Sequence, residues 1–292
     1  MTTLSAYALN FRGRLFPPLI SGGMGTNIST DRLALAIEKI GGIAHVSDAE
    51  LPDVCDRLFG TRFTAGKAKR FQALRTNSVK TEETFDLGAV REATLRYVGN
   101  LMERATGNGL LLINCMEKLT MNAGLETLKT RLNAALDAGI GGITLAAGLH
   151  LSSFRLMQEN KRFHDALLGI IVSSQRALNL FLRKSESTGR LPDYIVVEGP
   201  LAGGHLGFGM DWALYSLPAI VRQVKAYLAE KGLSIPVIAA GGVFTGTEAV
   251  KMIEENGADG IQAATRFAVA QESGLSQAGK TAFFNARPED IV

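Results

Sequence analysis

Apolar positions come in short unbroken runs. Each run is closed by glycine or small residues, and most are followed by a stretch with apolar residues at helical spacing. The run PLISGG at 18–23 precedes a helical pattern at 31–40, and GGIAHVS follows at 41–47. LLLINCM at 110–116 precedes a helix over 125–137, GGITLAAG at 141–148 one over 154–165, and LLGIIVSS at 167–174 one over 176–184. DYIVVEG at 193–199 leads to a helix over 212–230, and IPVIAAGG at 235–242 to one over 247–255. ADGIQAAT at 258–265 leads to a weaker closing helix near 276–285. Runs without polar alternation mark strands buried on both faces, as in a parallel sheet. Eight strand candidates, most with a following helix, predict an α/β fold, a TIM (β/α)8 barrel forming a single domain over 1–292. An open doubly wound sheet is the rival, and it usually has fewer strands.

The rhythm breaks once, between the second strand and the third. Residues 51–86 carry many charges and weak periodicity, and 90–105 read as the expected helix. The segment 51–86 is read as an elaboration over the C-terminal ends of the strands, with a solvated excursion as the bland reading.

Composition narrows the partners. Net charge is +3, with both signs interspersed, so no basic arm or stripe points to nucleic acid. No apolar run approaches a membrane span, and the N-terminus lacks the apolar core of a signal peptide. Two cysteines, Cys55 and Cys115, give neither a disulfide framework nor a metal-ligand spacing. A reducing cytoplasm fits, and no metal is expected.

Glycine clusters at the predicted strand ends carry the chemistry. Gly22, Gly23 and Gly25 follow the first strand, five glycines fall between Gly199 and Gly209, and Gly241 and Gly242 follow the seventh. In a TIM barrel, ligands sit at these ends. A missing Cβ lets a ligand approach the backbone, and successive N–H groups near a helix start attract anions. Tight turns alone would explain one such pair; three clusters together point to a phosphate-bearing cofactor.

These residues meet a known family. LISGGMG, LLLINCM, VVEGPLAGGHLG, IPVIAAGG and IQAATRFAVAQES, in this order over roughly 17–290, resemble the FMN-dependent nitronate monooxygenases, formerly 2-nitropropane dioxygenases. FMN-dependent enoyl-acyl-carrier-protein reductases are close relatives. The resemblance implies non-covalent FMN, with Gly23, Met24 and Gly25 beside the flavin and Asn114 hydrogen-bonded to it. Glu198 takes a place where relatives often have Gln. Gly203 and Gly204 pass the cofactor closely, with His205 fixing the loop or lying next to the cofactor. Ser173 joins this set. Gly241, Gly242 and the turn Gln262, Ala263, Ala264, Thr265 would hold the phosphate.

Two histidines are candidate catalysts. His150, in TLAAGLHLSS, follows the fourth strand, where many of these monooxygenases place a base in an S-F-H-F-G-like segment. Here the histidine is displaced by about three residues from that alignment. His164, in KRFHDALLGIIV, matches the R-F-H-x-A segment that carries the reductases' functional histidine. His45 reads as a packed residue.

The resemblance implies oxidation of alkyl nitronates by O2 to carbonyl compounds and nitrite. The same barrel could instead reduce an enoyl thioester or a quinone with NAD(P)H, or serve as a non-catalytic flavin-binding part of a larger synthase. The partners expected are a small-molecule substrate and O2, with a homodimer compatible. Family members usually continue beyond the closing PEDIV.

Overall fold

The computed structural model describes residues 2–66, 86–117, 124–205, 207–287 and 290. A short antiparallel hairpin, β1 (Leu9–Phe11) and β2 (Arg14–Phe16), opens the chain. Eight parallel strands then follow: β3 (Leu19–Ser21), β4 (Ile43–Ser47), β5 (Leu110–Met116), β6 (Gly142–Ala146), β7 (Leu167–Val172), β8 (Tyr194–Glu198), β9 (Val237–Ala240) and β10 (Gly260–Ala263). They close into a barrel in sequence order, β10 pairing β3. The helices are α1 (Asp31–Lys39), α2 (Leu51–Phe59), α3 (Leu87–Glu103), α4 (Gly124–Asp137), α5 (Ser153–Met157), α6 (Gln175–Ser185), α7 (Leu217–Glu230), α8 (Gly246–Asn256), α9 (Thr265–Ala268) and α10 (Gln277–Asn285). The expected TIM barrel is therefore the observed fold. No helix among the described residues is long and apolar enough to cross a membrane.

Strand alternation sorts the core into two layers. Leu111, Ile113, Ile195, Val197 and Ile261 point outward and pack with the surrounding helices. Ile20, Ile43, Leu112, Tyr194, Val196, Ile238 and Ala240 point inward. The period of two therefore aims Asn114, Glu198 and Gln262 into the barrel.

Three local expectations need correction. The hairpin β1–β2 went unread, because three-residue strands are too short to show a period. Its turn residues Arg12 and Gly13 both have positive φ, as a tight two-residue hairpin turn requires. Leu9, Phe11 and Phe16 join the inward layer and plug the N-terminal end of the barrel. The helix expected at 154–165 stops at Met157, and residues beyond it turn back through Asn160 N–H to the Met157 carbonyl and Phe163 N–H to Asn160. The start of the elaboration at 51–86 is a regular helix, α2, which buries Leu51, Val54 and Cys55; residues 67–85 lie outside the described residues.

A polar string crosses the apolar interior. His45 Nδ1 lies 2.7 Å from the Ser21 carbonyl, and its Nε2 lies 2.5 Å from Thr144 Oγ1. Thr144 Oγ1 in turn lies 2.5 Å from the Tyr194 hydroxyl. A carbonyl can only accept, so Nδ1 carries the proton; Thr144 then donates to Nε2, and Tyr194 donates to Thr144. Burial pushes the His45 imidazole down to about 4, against the pull of the Ser21 carbonyl. His45 is a packed, satisfied residue, as the sequence reading had it.

Candidate active site

The C-terminal ends of the strands form a mouth ringed by backbone turns. Gly22 N–H bonds the Ala263 carbonyl at 2.8 Å, tying β3 to β10. A Cβ on Gly22 would meet Gln262 Cγ at 3.3 Å, and one on Gly23 would overlap the Asn114 side chain. Gly23 is thus required by Asn114 as much as by any ligand. Met24 N–H donates to Ser29 Oγ at 2.9 Å, and Met24 carbonyl accepts from Ser29 N–H at 3.0 Å. Its amide is therefore already taken, and a ligand contact there falls to the side chain or a second carbonyl lone pair. A Cβ on Gly25 would meet that of Ala49 at 3.3 Å.

Three polar side chains face the mouth without partners among the described residues. Asn114 is nearly buried, and its amide makes no hydrogen bond among the described residues. Gln262 Oε1 is buried with no donor among the described residues. Glu198 has no hydrogen bond or ion pair among the described residues, and burial pushes its carboxyl up to about 7. Buried polar groups are normally paired, so the orphaned Gln262 Oε1, beside the unpartnered but accessible Asn114 amide and half-buried Glu198 carboxyl, marks an opening suited to a polar ligand.

The loop after β8 arches over this opening. A Cβ on Gly207 would overlap Ser173 Oγ at the end of β7, and one on Gly241 would meet Ala202 N at 2.6 Å. Gly241 and Gly242 have φ of +95° and +77°, conformations suited to glycine. Gly203 and Gly204 have no protein atom near where a Cβ would stand. His205 is exposed in this loop and makes no hydrogen bond among the described residues, so its ring does not fix the loop.

The phosphate corner differs from expectation in one respect. Glu248 closes a capping box on α8 and accepts from Phe244 N–H at 2.9 Å and Thr245 N–H at 2.8 Å. A carboxylate already sits on the helix start, so an anion here is left the amides of Gly241, Gly242 and Val243, which make no backbone bond. The turn Ala263, Ala264 and Thr265 closes the corner from β10. Arg266, which sequence reasoning left out although TRF was in view, reaches the Phe244 carbonyl at 3.0 Å with its guanidinium 4.5 Å from that ring. It brings a positive charge to the same corner.

The two candidate catalysts fare differently. His150 is buried in the turn after β6, where Ala147 and His150 itself have positive φ. Its Nε2 donates to the Ala146 carbonyl at 2.6 Å, and its Nδ1 lies 2.8 Å from Ser153 Oγ, from which it accepts. Burial pushes the imidazole down to about 4; the Ala146 carbonyl opposes this and the Arg131 cation adds to it. No ring lone pair remains for a substrate proton. His164 lies at the other end of the barrel: its carbonyl accepts from Arg12 of the hairpin turn at 2.8 Å. The hairpin plugs the N-terminal end, so the barrel itself separates His164 from the mouth. His150→Ala should lower stability by about 1–3 kcal/mol and His164→Ala by less than about 0.5. Denaturant midpoints check this, and a silent His150→Ala would mean that its ring bonds are not formed in solution.

Elsewhere, a cleft of about 520 Å³ lined by Trp212, Tyr215, Leu217, Val243 and Met252 opens between α7 and α8. It includes none of Asn114, Glu198 and Gln262, but Gly241, Gly242, Val243 and Glu248 line it too, so it adjoins the mouth at the phosphate corner. Among the described residues, no group of three or more His, Cys, Asp or Glu side chains could hold a metal.

Comparison with known proteins gives the family and the fold. A family model described as nitronate monooxygenase matches residues 99–292. A probable nitronate monooxygenase of Staphylococcus saprophyticus is 28% identical over 181 residues, covering 62% of this chain and 46% of that one. Another, of Staphylococcus haemolyticus, is 33% identical over 100 residues, covering 34% of this chain and 28% of that one. The matched region thus spans less than half the length of these curated relatives. Among solved structures, an IMP dehydrogenase/GMP reductase-like protein from Corynebacterium glutamicum superimposes with a TM-score of 0.57 at 15% identity, covering 96% of this chain and 72% of that one. An inosine 5′-monophosphate dehydrogenase from Legionella pneumophila gives 0.55 at 13%, covering 94% and 67%. At such identity these two share the barrel and nothing more.

Proposed function

Because the chain belongs to the nitronate monooxygenase family, a family of flavin-dependent oxidoreductases, we propose that its mouth holds FMN and oxidises alkyl nitronates with O2. The observation that carries this reading is the set of open polar groups, Asn114, Glu198 and Gln262, facing one opening beside glycine turns with free amides. The donor set fits a flavin: an amide, a carboxyl and a glutamine can pair with a ring edge that both donates and accepts. Gly241, Gly242, Val243 and the 263–265 turn would hold the phosphate, with Arg266 adding charge.

Bound there, FMN supplies the capacity to take electrons from the substrate and pass them to O2. This chain's residues do the rest. Loop residues 199–205 and 207–209 border the opening. The inward apolar layer under the mouth, with its closed His45–Thr144–Tyr194 string, gives a rigid floor. No free base faces the opening from His45 or His150. The group at the opening able to exchange a proton is therefore the Glu198 carboxyl.

The test is the visible spectrum of the purified protein, followed by anaerobic mixing with a nitronate, NADH and NADPH in turn. Bleaching by the nitronate and turnover with O2 alone are expected. Bleaching only by NADH or NADPH would instead place the chain with the enoyl or quinone reductases, and a yellow protein inert to all three with the non-catalytic flavin subunits. The glycine loop gives a sharper check. A Cβ on Gly203 meets no protein atom, so Gly203→Ala should melt like wild type. If the loop passes against bound FMN, the same variant should bind it at least about tenfold more weakly. Unchanged FMN affinity would place the cofactor elsewhere.

A further inference from the structure

Glu198 ends β8 in register with Ala240, and Ala240 is in register with Gln262. All three point inward, so the carboxyl and the amide stand on one level, two strand spacings or about 9.5 Å apart. Only a methyl group lies between them.

Among the described residues no cation pairs with Glu198; Arg266, at the phosphate corner, donates instead to the Phe244 carbonyl at 3.0 Å. β7 and β9, its two neighbours, carry no titratable side chain, and β10 brings only the uncharged Gln262. On α7, which packs against the outer side of β8, Arg222 bonds Asn256 and Lys225 bonds Asp259. Tyr227, Glu230 and Lys231 lie at the far end of that helix. Across the mouth, Asp48 is paired with Arg131, and Glu117 accepts the His150 amide. In the following loop His205 is exposed, and Asp211 accepts from Tyr215.

We propose that Glu198 acts toward the ligand as a neutral acid, so that the mouth accepts anions only while its proton is held. This rests on the reading of the mouth as the flavin and nitronate site. An ionised carboxylate here would be half-buried and would meet neither a donor nor a paired cation among the described residues, which favours the neutral form. Burial alone pushes its pKa up to about 7, so the charge changes within the physiological range. The protonated form donates one hydrogen bond and accepts another. The ionised form only accepts, and it repels both a phosphate-bearing cofactor and an anionic substrate.

Two measurements on the apoprotein test this. In isotope-edited infrared spectra, wild type minus Glu198→Gln should show one protonated carboxyl that titrates near pH 7. A carboxylate band already complete at about pH 6 overturns the proposal. Glu198→Met serves as the reference if the glutamine variant fails to fold. Then FMN affinity is measured at about pH 6.5 and about pH 8.5. Wild type should weaken by at least about tenfold, and Glu198→Gln, which mimics the neutral acid, by less than about twofold. Equal weakening in both variants overturns the ligand-facing role. Failure of FMN to bind at any pH sinks the flavin reading and the ligand half of this inference, while the infrared titration still decides whether the proton is held.

Discussion

Gly169→Ala should lose about 3–5 kcal/mol of stability, although it adds a single methyl group. Gly169 lies on β7 directly in register with Tyr194 on β8 and with Thr144 on β6. The Tyr194 ring covers it, and a Cβ there would overlap the ring carbons. The ring cannot move freely. It packs 5.0 Å from Phe11 of the hairpin, and its hydroxyl is fixed to Thr144. Overpacking a filled core costs about 1–3 kcal/mol. Displacing the hydroxyl also leaves Thr144 and His45 with a broken string in a dry interior, at about 1–3 kcal/mol more. Chemical denaturation measures the loss. Pairing the change with Tyr194→Leu should recover part of it, since the smaller side chain vacates the space. A Gly169→Ala variant within about 0.5 kcal/mol of wild type would mean that the ring does not lie over β7.

This glycine shows where sequence reading stops. The barrel was legible because its strands are buried on both faces, and such runs as LLLINCM and DYIVVEG stand out without any partner being known. The glycines at strand ends were legible as a class, and they do ring the mouth. What each glycine accommodates was not. Gly23 makes room for Asn114, Gly169 for Tyr194 and Gly241 for the backbone of Ala202, whereas Gly203 faces open space. The difference depends on which strand lies opposite, a relation between residues far apart in the chain. The string His45–Thr144–Tyr194 likewise gathers side chains from three strands and leaves no local trace. His150 is the opposite case. Its partners Ala146 and Ser153 lie four residues before and three after it. A histidine so close to a serine hydroxyl in a tight turn could have been read as a turn clasp.

Arg131→Met should be comparably damaging, for an electrostatic reason. The Asp48 side chain is fully buried just beyond β4 and is paired with Arg131 of α4. Asp48 also accepts from Met116 N–H at 3.3 Å, and Arg131 donates to the Met116 carbonyl at 2.9 Å. The pair therefore clasps the end of β5 on both sides. Burial pushes the Arg131 guanidinium down to about 10, still charged at neutral pH. Without it, Asp48 is a buried carboxylate with one amide for company. Breaking such a pair by removing one partner costs about 3–5 kcal/mol. The loss should shrink in acid, because a lone buried carboxyl gains stability by taking up a proton that the unfolded chain holds less tightly. The double variant Asp48→Leu/Arg131→Met should recover most of the loss, since no unpaired charge remains. The clasp also bears on the mouth: Glu117, next to Met116, accepts the His150 amide at 3.1 Å and so holds the turn after β6. Arg131→Met should consequently weaken ligand binding at the mouth as well as stability, and the double variant should restore both together. A single variant costing less than about 1 kcal/mol would show that water reaches Asp48 and that the end of β5 is held by its backbone pairing alone.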